Sequence, residues 1–130
     1  MTQEDKDLLL KDLCSRIPYG VKFVIDNDQN NVRTLTGIDE AIPYEDWQMC
    51  VFARGISAIP IEDIKPYLFP MSSMTKEQIQ EFNSITQHCT TYIGKSILLI
   101  DFCNRHHIDY HGLIPMGLAN DATGLNIYAE

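Results

Sequence analysis

The chain has 130 residues, 45% hydrophobic and 22% charged, which is the make-up of one globular domain and not of a disordered segment. Ten basic side chains face eighteen acidic ones, for a formal charge of −8. That balance counts against nonspecific binding to a phosphate backbone and fits a solubilised surface or, as an alternative, capture of a basic partner. The opening MTQEDKDLLLKDL lacks the basic start and long apolar run of a signal peptide, and the longest apolar run, Ile97–Ile100, is too short to span a bilayer. A soluble, cytoplasmic protein with no membrane association is expected. Cys14, Cys50, Cys89 and Cys103 show no CxxC spacing, so free thiols are expected.

In chain order, Leu9, Leu10, Leu13, Cys14 and Ile17 recur at helical spacing among Glu4, Asp5, Lys6, Asp7, Lys11 and Asp12. Thr2 is placed to cap this helix, and Pro18 stops it near Ile17. Pro18-Tyr19-Gly20 reads as a turn. VKFVIDN then alternates as a strand, DNDQNN turns, and Val32–Thr36 returns antiparallel. A loop around 39–44, a strand Gln48–Arg54, a break at Gly55 and a short extended piece Ile56–Pro60 complete a small meander. IEDIKPYLFP (61–70) reads as irregular, with one possible helical turn, because Pro66 and Pro70 disrupt regular structure.

MSSMTKEQIQEF carries a capping box, Thr75 with Gln78, and a possible staple, Met74 with Ile79; it predicts a helix from Lys76 to about Ile85. TTYIGK reads as strand or loop. Ser96–His107 reads as a helix so apolar all round that it should be buried, with a buried strand over Ser96–Ile100 as the competing assignment. The tail, with Pro115, Gly117 and Gly124, suggests a short helix near Leu113–Ala119 and then an extended end.

Three segments carry a resemblance: EDKDLLLKDLCSRIPYGVK (4–22), IKPYLFPMSSMTKEQ (64–78) and HHIDYHGLIPMGLA (106–119). Together, and in this order, they resemble a group of small uncharacterised proteins of gut bacteria and of their phages and prophages. The likeness covers most of the chain. It implies a phage or mobile-element context and no particular chemistry. The related pattern near the C-terminus looks like H-x-D-Y-R-G-L-I, with arginine where this chain has His111. An arginine is not a metal ligand, so the likeness weighs against a metal role for His111.

Several motifs imitate active sites. Gly94-Lys95-Ser96 before an apolar run suggests a phosphate loop, but the spacing requires a glycine at position 89, which is Cys89. A loop-to-helix junction, with Gly94 turning and Ser96 as possible cap, is the better reading. Asp26, Asp28 and Asn30 open like a calcium loop, yet Asn31 and Gly37 stand where glycine and glutamate are needed, leaving a hairpin turn. Acidic pairs such as Glu4/Asp5 and Glu62/Asp63 read as solvated charge. Tyr44, Trp47 and Phe52 could form a partner surface but read better as core.

Cys103, His107 and His111 are spaced four apart, which on an unbroken helix would align sulfur and two imidazoles as candidate metal ligands. Asp109 as a cap and Gly112 as a terminator instead suggest a helix ending between Ile108 and Gly112, which removes His111 from that stripe. A Cys103 or Cys89 nucleophile needs a lowered thiol pKa, and apolar surroundings do the opposite. No catalytic residue, cofactor or metal site is therefore assigned.

The expected fold is α+β: an N-terminal helix, a small antiparallel sheet or partly open barrel, then two or three C-terminal helices. The expected function is a non-catalytic accessory or interaction module of phage or mobile-element origin, with another protein as partner. The alternatives are a metal-binding protein using the 103–111 cluster, and an acidic decoy for a basic or nucleic-acid-binding protein.

Overall fold

The computed structural model describes residues 1–41 and 48–128. Helix α1 spans Gln3–Arg16, with the Thr2 side chain accepting from the Asp5 amide and Glu4 and Asp5 at its positive end. A 3-10 turn, Ile17–Tyr19, follows and closes on Gly20, whose φ of 68° suits glycine. Strands β1 (Lys22–Ile25) and β2 (Val32–Ala41) form the expected hairpin, and Asp26 and Asn27 adopt the left-handed conformation within its turn. β3 (Gln48–Ala53) and β4 (Ile56–Pro60) extend the antiparallel sheet. Tyr44 and Trp47 lie outside the described residues; Phe52 is half-buried in β3.

The segment read as irregular is a strand. After a single 3-10 turn at Ile61–Asp63, β5 (Ile64–Leu68) pairs antiparallel with β1, setting Phe23 opposite Pro66. On its other flank β5 pairs in parallel with the two-residue β6 (Asn120–Asp121), but only through Tyr67 and Leu68. Pro66 thus lies outside that second ladder, the kind of position where a strand tolerates proline. The sheet order is β4-β3-β2-β1-β5-β6, an open mixed sheet with β4 and β6 at its edges.

Leu9 and Leu13 of α1 seal one face of the sheet against Phe23, Leu35, Val51 and Leu68. Each leucine buried in this way is worth roughly 1.5–3 kcal/mol. Val24 and Tyr67 point to the other face, where they meet Ala122, Phe69 and Tyr128. Asp12, placed by its sequence among the polar residues of α1, is buried instead. It shares one helical stripe with Leu9, Leu13 and Arg16.

Helix α2 (Lys76–His88) starts with the predicted capping box: the Gln78 amide donates to Thr75 Oγ1 and the Thr75 amide donates to Gln78 Oε1. Ile79 is exposed. Helix α3 (Tyr92–Arg105) is one continuous helix, so neither a strand over TTYIGK nor one over Ser96–Ile100 forms. Its cap is Thr91, whose Oγ1 accepts from the Gly94 amide. Gly94 is inside the first turn: a Cβ there would fall 2.5 Å from Thr91 Oγ1, so the glycine makes room for the cap. The tail contains turns in place of a helix, with Gly117 at φ 77° before β6. Among the described residues, no helix is long and apolar enough to cross a membrane.

Candidate functional site

The three aligned candidates, Cys103, His107 and His111, are separated by the way α3 ends. His106 caps the helix and His107 takes a left-handed φ of 58°. The Ile108 amide then donates to Cys103 O at 2.8 Å, and the His107 amide to Asn104 O at 3.3 Å. These two bonds are those of a Schellman termination, with histidine in the place glycine usually takes. The helix therefore ends before Ile108, earlier than Asp109 and Gly112 suggested. The stripe of three ligands is broken at its middle member.

Each of the three then has its own surroundings. Cys103 is buried, and burial pushes its thiol pKa up, partly offset by Arg16; the Cys50 thiol is raised by burial too. The His107 ring stacks on Tyr128 at 3.8 Å between centroids, with Nδ1 buried and lacking a hydrogen-bond partner among the described residues. Burial, then the charges of Arg16, His106 and Lys22, lower its pKa to about 4, so the ring is neutral at pH 7. The stacked Tyr128 hydroxyl accepts from the Lys22 amide and donates to Tyr67 O, and burial raises its pKa well above the usual phenol value. Among the described residues no group of three His, Cys, Asp or Glu side chains is placed to hold a metal ion.

His111 points to α1. Its Nδ1–H donates to Asp12 Oδ2 at 2.8 Å. Asp12 is also gripped by Arg16, whose Nε and Nη2 donate to the two carboxylate oxygens at 2.6 and 3.1 Å; both side chains are 0% exposed. Arg16 Nη2 donates further to Ile108 O at 2.7 Å, and its guanidinium stands 5.1 Å from the centre of the Tyr110 ring. Ser15, Asn104 and the Tyr110 hydroxyl join the same network. The Asp109 carboxylate is engaged separately, accepting the Leu113 and Ile114 amides. An acid that orients a histidine is a fragment of hydrolase machinery. Here that acid is neutralised by a bidentate arginine, and the group ties α1 to the segment after α3. Sequence could have flagged it: Asp12 and Arg16 lie four apart on the stripe set by Leu9 and Leu13.

The remaining unusual surface is the pair of helices α2 and α3. On α3, Phe102 packs edge-on against Phe82 of α2, and Leu98 lines a shallow cleft with Ser84, Ile85 and His88. Arg105 donates to Glu81 of α2 at 2.5 Å and to Asp101 at 3.2 Å, while the Tyr19 hydroxyl donates to Asp101. Arg105 accordingly holds the Glu81 carboxyl below its usual pKa, and the Tyr19 bond, then Arg105, does the same for Asp101. Much of α3 is bare. Tyr92, Ile93, Ile97, Leu98 and Ile100 are 86, 73, 61, 47 and 46% exposed, against the expectation of a buried helix.

A scan against protein-family models and searches of curated proteins and of solved structures found no match to this chain.

Proposed function

We propose that the chain is a non-catalytic interaction module of phage or mobile-element origin, and that it engages another protein through the bare face of α3. The observation that carries this reading is the row Ile93, Ile97 and Ile100, apolar and uncovered on a well-capped helix. Contiguous exposed apolar surface of this kind marks contact sites. Two further features support a non-catalytic role. The buried thiols are raised in pKa, and the Asp12 carboxylate that holds His111 is committed to Arg16. The mobile-element context rests on the likeness of segments 4–22, 64–78 and 106–119 to small phage and prophage proteins.

The test is affinity capture from a gut bacterial host, with and without phage induction, using the wild-type chain and an Ile93→Ser/Ile97→Ser variant. A specific protein retained by the wild type and lost by the folded variant is the expected result. Its enrichment on induction is the expected mark of the phage context. Identical capture by both chains would remove α3 as the working surface.

A further inference from the structure

We propose that residues 122–128 form a strap across the second face of the sheet, latched by the stack of Tyr128 on His107, and that proton uptake by His107 releases the strap while α1 and the sheet stay folded. This device is separate from the bare face of α3.

The strap is held at few points. The β6 strand that leads into it is two residues long. Ala122 is buried, and its amide donates to Leu68 O at 2.8 Å. Residues 123–126 are then exposed, turning at Gly124 and Asn126 with φ of 78° and 54°. Ile127 and Tyr128 return to the cluster of Val24, Tyr67 and Ala122. There the Tyr128 hydroxyl bridges β1 and β5, one position beyond their last pair, Phe23 and Pro66. It accepts from the Lys22 amide at 2.8 Å and donates to Tyr67 O at 2.7 Å. A segment held so sparsely belongs to the units that open before the whole fold does.

The latch has no place for a second proton. The His107 ring lies 11° from parallel with the Tyr128 ring, and its backbone is fixed by the Phe69 amide, which donates to His107 O. Nδ1 is buried and has no acceptor among the described residues. The charges acting on the ring come from Arg16 of α1, Lys22 of β1 and His106 of its own helix, all cationic side chains. The Tyr128 phenol is neutral, its pKa raised by burial. Asp12 is taken up by Arg16 and His111, and Asp109 by the Leu113 and Ile114 amides; neither accepts from Nδ1. A protonated ring thus carries a buried N–H without an acceptor, among like charges.

Departure of Tyr128 gives one face of that ring to water. The strap is the cover that can leave, because the other neighbours belong to α1, α3 and the sheet. Release uncovers Val24 and Tyr67. With an ordinary pKa of 6.5 against about 4 in the folded chain, the ratio of released to held strap can rise by up to ~300-fold as pH falls.

Amide hydrogen exchange on the full chain, read as protection factors at about pH 7 and about pH 4.5, tests the proposal. Protection at Lys22 and Ala122 should fall at least ~10-fold at the lower pH. That exchange should be nearly independent of low urea, whereas exchange at Leu35, whose amide donates to Val21 O within the sheet, should rise steeply with it. His107→Asn should abolish the acid response at Ala122. Tyr128→Phe removes both hydroxyl bonds and keeps the stacked ring, so Ala122 should lose ~5-fold in protection at about pH 7 and keep its acid response. Three results overturn the proposal: an acid response unchanged in His107→Asn, Ala122 protection unchanged in Tyr128→Phe, or Ala122 and Leu35 exchanging with the same protection and the same urea dependence.

Discussion

The two halves of α3 are equally apolar and have opposite fates. Phe102, Cys103 and Asn104 in its last turn are buried, while Tyr92, Ile93 and Ile97 in its first turns stand in solvent. What differs is the cover. The C-terminal half receives Phe82 from α2, the Arg16 guanidinium from α1 and the chain after Ile108. Among the described residues, the N-terminal half receives one side of α2 as its cover. Hydrophobicity along a helix states which residues would gain by burial; whether they are buried depends on elements remote in sequence.

Substitutions at the two ends should separate them, most strongly through the buried pair. Arg16→Met leaves the Asp12 carboxylate buried without its guanidinium and should cost about 3–5 kcal/mol of unfolding free energy in urea titration. Phe102→Ala should also cost about 3–5 kcal/mol. Ile97→Ser, five residues earlier on the same helix, should change the stability of the monomer by less than about 0.5 kcal/mol. Equal losses at Phe102 and Ile97 would erase the comparison.

Acid should act at the closed end alone. The His107 pKa is about 4 in the folded chain against an ordinary 6.5, so between those values the unfolded chain binds a proton that the folded chain does not. Stability should therefore be highest above pH 7 and fall as pH drops from about 6.5 to 4, by up to about 3 kcal/mol from this group. His107→Asn tolerates the left-handed backbone and should flatten that part of the stability–pH curve. At the open end a modest local change is expected: Thr91→Ala removes the cap from the first turn of α3 and should cost about 1 kcal/mol, read as faster amide exchange at Gly94.

What was legible in the sequence was local. The Thr2 cap and Pro18 bounded α1, the Asp/Asn turn gave the first hairpin, and Thr75-x-x-Gln78 placed α2. The α+β order of helix, sheet and two helices followed from these pieces. β5 was missed because Ile64, Pro66, Tyr67 and Leu68 are buried without alternation, and the partners that make them a strand are remote in sequence. The end of α3 was misplaced because its terminator is His107, a residue with no compositional signal for the left-handed position, braced by Tyr128 twenty-one residues later. Asp12 looked like surface charge because five other charged residues precede it in α1. Separation of Cys103, His107 and His111 followed from the helix end, so the candidate cluster and the helix boundary were one question.

The Arg16–Ile108 bond joins residues 92 positions apart. During synthesis α1 emerges early, yet the carbonyl that receives its arginine is made only near the end. Until then Arg16 lacks its Ile108 acceptor and Asp12 lacks His111, although the sheet residues that receive Leu9 and Leu13 are already made. The network that fastens the finished fold thus also fixes its timetable: the first helix is among the last elements to be locked, and a chain stopped before Ile108 leaves it unfastened.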